Sequence, residues 1–158
     1  MGADAELRVE VKGLLPTPTG CGVFLGHNGK TIAIFVDHHV AAAINMFMHR
    51  VEKPRPLTHD LVGNIFQGLG VRLLKVVVND LRDNTFYARL YLCQHNDVGQ
   101  SMAEVDARPS DAMALAIHHG CPIFVRQSVW DRTEDMSWAL EQVDDDEGGG
   151  KNDDLSSA

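Results

Sequence analysis

The chain has 158 residues, of which 44% are hydrophobic, which fits one domain with a substantial core and is short for two. Its formal net charge of −8 disfavours tight non-specific binding to nucleic acid. The longest apolar run is too short to span a bilayer, and the first residues show no signal-peptide pattern, so we expect no membrane association. Cys21, Cys93 and Cys121 are widely spaced, which favours a reducing compartment, the cytoplasm, over a disulfide framework or a zinc site.

The acidic charge is concentrated at the C-terminal end of the chain. Residues 144–158 hold six acidic residues against Lys151 alone, with three consecutive glycines among them. A segment of this composition cannot bury enough apolar surface to fold. We therefore predict a folded domain over residues 1–143, followed by an acidic disordered tail over residues 144–158.

The first part of the chain has the patterns of strands followed by a helix. Residues 6–14 alternate apolar and polar side chains with the period of a half-buried strand. Asn28-Gly29 between two apolar runs predicts a hairpin, and Asp37 is a candidate N-cap for a helix over residues 38–51. Apolar side chains cover most of that helix, so we expect burial on several sides. Its small alanines would allow close packing against a second subunit, and we predict a homodimer or a higher homo-oligomer.

The second part of the chain alternates between helical and β-rich segments, which are separated by proline corners, polar turns and glycines. The segments are a helix at about 59–69 with Thr58 as its candidate N-cap, a hairpin of strands at 71–80 and 85–94, a short strand at 102–106, a helix before Gly120, a strand at 122–125 and a lesser helix between Trp130 and Gln142. These elements predict an α+β fold: a single compact domain with a mixed, largely antiparallel sheet packed by two or three helices.

Two corners of the chain resemble each other and suggest an internal duplication. Arg55-Pro56 precedes Asp60, and Arg108-Pro109 precedes Asp111, with each aspartate in the first turn of a predicted helix. A carboxylate there is stabilised by the helix dipole and can pair with the neighbouring arginine. Both corners therefore have an interpretation that is purely structural.

The same corners also have a chemical interpretation. Oxygen ligands suit Mg²⁺ or Mn²⁺, and Asp60, Asp106 and Asp111 are candidate ligands for such an ion in phosphodiester hydrolysis. His59 is a candidate general acid or base, because histidine titrates near neutral pH. Arg108 is a candidate phosphate clamp. Spacing alone does not decide between the chemical and the structural interpretation.

Other residues add little to the chemical interpretation. Neighbours on a helix point about 100° apart, so neither His38-His39 nor His118-His119 is expected to chelate a metal as a pair. His118 and His119 are expected to face the C-terminal dipole of their helix. The chain has no glycine-rich nucleotide loop, no serine-hydrolase elbow and no zinc-protease motif, so no organic cofactor is expected.

Four segments occur together and in order, and they give the sequence a family resemblance. They are "PRPLTHDL" (54–61), "LRDNTFYARL" (81–90), "DARPSDAMALA" (106–116) and "GCPIFV" (120–125). This series closely resembles the bifunctional nuclease family, and the likeness extends from about Leu7 to Val129. The resemblance implies a compact α+β domain. Because plant members are described as degrading RNA and DNA, it also implies a divalent-metal-dependent nuclease with RNA or DNA as its substrate.

One departure from the family pattern bears on activity. In the stretch "FVDHHVAAA", Asp37 stands where the family usually has glycine, and Val40 stands where it usually has glutamate. If that glutamate is a catalytic group or a metal ligand, this chain has lost it. Asp37 lies three residues earlier and is expected to point elsewhere. The alternative function is therefore a non-catalytic oligomeric binding or scaffold module that has lost nuclease activity.

Overall fold

A computed structural model describes residues 4–148, which form seven strands and five helices. The strands are β1 (Glu6–Thr17), β2 (Gly20–His27), β3 (Lys30–Asp37), β4 (Val71–Arg82), β5 (Thr85–Asn96), β6 (Gly99–Ala107) and β7 (Ile123–Arg126). The helices are α1 (His38–Met48), α2 (Thr58–Gly68), α3 (Pro109–His119), α4 (Gln127–Arg132) and α5 (Ser137–Gly148).

All seven strands belong to one sheet, in the order β3-β2-β1-β7-β4-β5-β6. The pairing of β4 with β7 is parallel, and the other described pairings are antiparallel. The predicted α+β domain with a mixed, largely antiparallel sheet is confirmed. Both predicted hairpins form, with turn residues at positive φ: Asn28 at 45° and Gly29 at 80° in the first, Asp83 at 48° and Asn84 at 60° in the second.

The core lies between the sheet and α3. Residues 112–116 of α3 are all buried, because the helix packs on strands β3, β4 and β5 and against α1. Val23, Val76 and Val125, from three different strands, are at most 1% exposed beneath it. The central position of α3 makes it the fixed element on which α1 and α2 are placed.

Helix α1 is held at its start as predicted but is less buried than predicted. Asp37 Oδ1 accepts a hydrogen bond of 3.0 Å from the amide of Val40, which confirms the predicted N-cap. In this single chain only Val40, Ala43 and Ile44 of the helix are buried, so the prediction of burial on several sides is wrong here. The reason is that α3, β2 and β3 cover one face, and the other faces line open clefts.

Helix α2 begins differently from the prediction. Thr58 is its first helical residue, and Leu57 takes the N-cap position. The Asp60 carboxylate reaches back to accept a hydrogen bond of 2.9 Å from the amide of Leu57, so no hydroxyl cap is needed. In α2 only Gly63 is buried, which leaves a helix that lies on the surface of the domain.

The C-terminal part also departs from the prediction. The predicted lesser helix is divided near Thr133, because Asp135 accepts hydrogen bonds from the amides of Thr31 and Ser137 and ties the linker to β3. Helix α5 then continues to Gly148, past the predicted boundary at residue 143. Residues 149–158 lie outside the described residues, and disorder there stays a prediction.

None of the described helices is long and apolar enough to cross a membrane. Cys21, Cys93 and Cys121 are free thiols, and the burial of Cys121 raises its pKa to about 11. A cytoplasmic location stays a prediction.

Candidate functional site

The N-terminal ends of α1, α2 and α3 face one cleft of about 870 Å³, called here the helix-end cleft. A helix N-terminus carries a partial positive charge and exposed amides, so an opening shared by three of them favours an anion. This convergence explains why charged residues gather at the corners. The cleft is lined at these ends by Asp37, His38, Thr58, His59, Arg108 and Asp111.

Helices α2 and α3 approach each other closely at a glycine. A Cβ atom added to Gly63 would lie 2.9 Å from His119 Cε1, which is closer than ordinary contact allows. The absence of a side chain at Gly63 therefore lets the two helices pack with their polar residues within reach of each other.

Two histidine–aspartate pairs cross between these helices. His59 Nε2 on α2 lies 2.9 Å from Asp111 Oδ1 on α3, and His118 Nε2 on α3 lies 3.6 Å from Asp60 Oδ1 on α2. Each first-turn aspartate is thus paired with a histidine of the other helix. A carboxylate can only accept, so His59 Nε2 carries the proton in its hydrogen bond.

Arg108 completes the first pair. Its Nε donates to Asp111 Oδ2 at 2.7 Å and its Nη2 donates to Asp111 Oδ1 at 3.2 Å, a bidentate contact. Partial burial acts to raise the pKa of Asp111, but the hydrogen bonds from Arg108 and His59 outweigh it and hold that pKa below its ordinary value. Asp111 is therefore ionised at neutral pH, as a partner that orients His59 must be.

Lys53 completes the pair of Asp60 and His118. The sequence had predicted that Arg55 would be the cation beside Asp60. Lys53 Nζ lies 3.0 Å from Asp60 Oδ2, and among the described residues no ion pair within 4.0 Å joins Asp60 to Arg55. Burial acts to raise the pKa of Asp60, but hydrogen bonds from the Leu57 amide and from Lys53 lower it below its ordinary value. Partial burial also lowers the pKa of His118.

Phe47 of α1 lies between the two pairs. Its ring stacks on His118 with centroids 4.2 Å apart and meets His59 edge-on at 6.4 Å. Lys53 Nζ lies 4.5 Å from the same ring, a cation–π contact. Phe47 therefore packs against one imidazole ring from each pair.

The predicted site residues are only partly brought together. His59, Arg108 and Asp111 share the helix-end cleft, while Asp60 lines a neighbouring cleft beyond Phe47. Asp106 is exposed on β6, opposite Arg89 of β5, and does not line either cleft. Since β6 is the last strand in the sheet order, its side chains lie at the sheet edge.

The arrangement does not fit the predicted metal centre. Across residues 4–148, no three side chains of histidine, cysteine, aspartate or glutamate converge closely enough to hold a metal ion. Asp60 and Asp111 are each already paired with a cation, and Asp106 lines neither cleft. The described residues therefore do not form the three-carboxylate site expected for Mg²⁺ or Mn²⁺.

The two residues that depart from the family pattern both line the helix-end cleft. Val40 is 4% exposed and contributes apolar surface. Asp37 was expected to point elsewhere, but its Oδ2 lies 3.6 Å from Arg108 Nη1. Oδ1 of Asp37 caps α1, so Oδ2 is the carboxylate oxygen that faces the cleft. Asp37 would therefore compete for Arg108 with any anion that entered the cleft.

Sequence reasoning missed Lys53, Phe47 and His118. His118 follows Asp111 by seven residues, which is two helical turns and the same face of α3, so the spacing held a usable signal. Lys53 and Phe47 had no such signal, because their roles depend on how three helices pack.

The fold and the cleft define an α+β protein with a site built around a hydrogen-bonded histidine–aspartate pair and an arginine. The chain belongs to the bifunctional nuclease domain family, whose model matches residues 23–136. The matched range contains every residue of both crossed pairs.

Two proteins of Mycobacterium tuberculosis, from strains CDC 1551 / Oshkosh and H37Rv, are similar to this chain, and both are described as uncharacterized. Each is 40% identical to it over 100 residues, which is 63% of this chain and 57% of the relative. The chain thus spans little more than half of the length of the curated relatives it matches.

Proposed function

We propose that this protein is a nuclease that hydrolyses phosphodiester bonds of RNA or DNA in the helix-end cleft. The observation that carries the proposal is the hydrogen bond of 2.9 Å between His59 and Asp111, inside the range matched by the nuclease family model. An ionised carboxylate that orients an imidazole is the arrangement used for general acid–base catalysis.

The proposed step uses the second nitrogen of the His59 ring. Because Nε2–H donates to Asp111, Nδ1 of the neutral ring has a free lone pair and can accept a proton from water. The water oxygen forms a bond to phosphorus, the phosphorus bond to the leaving sugar oxygen breaks, and that oxygen takes a proton from solvent. Asp111 stabilises the imidazolium formed in this step.

Arg108 has the proposed role of positioning the phosphate. Its Nε and Nη2 are bound to Asp111, which leaves Nη1 facing the cleft near Asp37. A phosphate oxygen would displace this longer contact with Asp37 and gain a charge-assisted hydrogen bond. The N-terminal ends of α1, α2 and α3 add partial positive charge around the same position.

The family resemblance implies dependence on Mg²⁺ or Mn²⁺, and the step proposed here departs from that implication. Since the described residues do not fit such a centre, the proposed step runs through His59 and needs no protein-bound ion. Cleavage should therefore persist in EDTA, and activity that requires added Mg²⁺ or Mn²⁺ would contradict this part of the proposal.

The test is cleavage of end-labelled single-stranded RNA and DNA by the purified protein, with His59→Ala compared with the wild type. We expect a loss of about 100-fold or more in rate, the usual contribution of a general base. His95→Ala is the matched control, because His95 is exposed on β5 and lines neither cleft. Wild type that never cleaves, or His59→Ala that cleaves normally, would refute the proposal.

The surface of α2 favours a second candidate function, an oligomeric binding or scaffold module. Four apolar residues spaced four apart, called here the α2 stripe, are between 45% and 61% exposed: Leu57, Leu61, Ile65 and Leu69. Apolar side chains in such a row are typical of a contact with another helix. We propose a homodimer through this stripe as the alternative, and it would stand even if cleavage were never observed.

A further inference from the structure

A second cleft, of about 670 Å³, lies on the other side of Phe47 and is called here the basic cleft. Arg50, Lys53 and Arg55 line it, and Asp60 is the only acidic residue among its lining residues. This excess of positive charge is local, since the whole chain has a net charge of −8. A basic cleft in an acidic protein directs an anion to one place.

Two of the three cations are free to bind a ligand. Lys53 is engaged by Asp60 at 3.0 Å. Arg50 and Arg55 are exposed, and neither has a carboxylate within 4.0 Å among residues 4–148. A guanidinium group presents a fork of donors that matches a phosphate.

The backbone conformation of Arg50 supports a role for its side chain. The amide of Val51 donates a hydrogen bond of 3.0 Å to the carbonyl of Met46, and the amide of Arg50 donates one of 3.3 Å to the carbonyl of Phe47. These bonds form a Schellman motif, in which the left-handed position is usually glycine. Arg50 occupies it with φ 51°. The Arg50 side chain thus occupies a position where glycine would be less strained, and it lines the basic cleft.

His118 and His119, the last two residues of α3, complete the lining. Burial lowers the pKa of both rings below the ordinary value for histidine, so they carry no proton charge at pH 7. Their ring nitrogens can donate hydrogen bonds to a ligand without adding a fixed charge. The positive charge of the cleft therefore comes from the α1–α2 connection, which carries the two free arginines.

We propose that the basic cleft binds backbone phosphates of a single-stranded polynucleotide, next to the phosphate held in the helix-end cleft. The proposal rests on the proposed nuclease function for the class of ligand. The two clefts adjoin, since Met46 and Pro56 line both. A polynucleotide carries phosphates at regular intervals and can occupy both clefts at once. Because the contacts are to phosphates, binding should be insensitive to base sequence.

The test compares wild type with the double variant Arg50→Gly/Arg55→Ala in binding a labelled, phosphorothioate-linked single strand. The strand is about twelve nucleotides long, within the usual site sizes of single-strand-binding proteins. We expect binding to weaken at least tenfold, and the slope of log affinity against log salt to become shallower by about 1.4 for two lost phosphate contacts. Glycine at position 50 should leave the melting temperature unchanged or raise it, so lost binding would not reflect unfolding.

The matched control is Arg8→Ala/Arg72→Ala, which removes the same charge from two exposed arginines that line neither cleft. Equal loss in both double variants, unchanged affinity in Arg50→Gly/Arg55→Ala, or no binding by wild type would overturn the proposal. Inorganic phosphate that displaces the strand at equal concentration would overturn it too, since it would indicate a site for a small anion. Binding that depends on Arg50 and Arg55 without any cleavage would support the basic cleft and refute only the nuclease function.

Discussion

His59 Nε2 lies 2.9 Å from Asp111 Oδ1, although the two residues belong to different helices and are 52 positions apart in the chain. The same two helices are joined by His118 and Asp60 at 3.6 Å, so the docking of α2 on α3 positions both pairs. Residues that look in the sequence like two separate helix starts therefore form one site.

Stability should fall as the pH is lowered from 7 to 5 because of His118 and His119. Burial lowers the pKa of both rings in the folded state below the unfolded value of about 6.5. At a pH between the two values, the unfolded state binds these protons and the folded state does not. Stability from these groups is present above the unfolded pKa and is lost as the pH falls through the folded pKa. Urea midpoints at several pH values check this.

The double variant His118→Gln/His119→Gln should flatten that pH dependence, with His38→Gln/His39→Gln as an exposed control. An equally steep fall in the first double variant would show that other groups are responsible.

Gly63→Ala should separate α2 from α3. Its Cβ would stand 2.9 Å from His119 Cε1, so the gain of about 1 kcal/mol that alanine gives a helix should be offset by displacement of the ring. Both crossed pairs should lengthen, and cleavage should fall with no gain in the free energy of unfolding. The measurements are urea denaturation and the cleavage rate.

Gly68→Ala is the control on the same helix, because no atom of the described chain beyond its own helix and neighbours lies within 4 Å of its added Cβ. It should stabilise the protein by about 0.5 kcal/mol and leave cleavage intact. Equal stabilisation by both substitutions would mean that the two helices are not in close contact at Gly63.

Arg108→Ala should impair activity more than folding. The Arg108 side chain is 64% exposed, and an exposed ion pair stabilises a fold by less than about 1 kcal/mol. Losing a phosphate contact, by contrast, should slow cleavage at least tenfold. Arg89→Ala removes a similar exposed pair, with Glu104 at 2.9 Å, and should leave cleavage unchanged. A drop of several kcal/mol in stability for Arg108→Ala would assign it a structural role instead.

The α2 stripe should hold a homodimer together. Ile65→Glu/Leu69→Glu should convert a dimer at tens of micromolar into a monomer, since burying each such side chain contributes about 1.5–3 kcal/mol. Light scattering measures the change. Val98→Glu, at a position 96% exposed in the β5–β6 turn, should leave the dimer intact. A monomeric wild type would refute the oligomer predicted from the sequence.

The order of strands and helices could be predicted because local patterns determine it. Asn28-Gly29 specified a turn, Asp37 a cap and Gly120 a left-handed helix end, and each depends on residues close in the chain. Burial of α1 was overestimated because composition does not state which faces another element covers.

The site was less predictable because it depends on distant contacts. The pairing of Arg108 with Asp111 is local and was expected from the sequence, but the approach of His59 to Asp111 follows from the packing of α2 on α3 at Gly63. Asp106 was predicted to lie on a short strand at 102–106. That this strand is the last one of the sheet, away from both clefts, could be known only from the sheet order.

The most direct test of the account is the cleavage rate of Asp111→Asn on single-stranded RNA and DNA in EDTA. Asparagine keeps the size of the side chain but loses the charge that orients His59 and stabilises its protonated ring. We predict that the folded variant cleaves at least about 100-fold more slowly than wild type, a loss typical for an oriented acid–base pair. A variant that cleaves as fast as wild type would contradict the account.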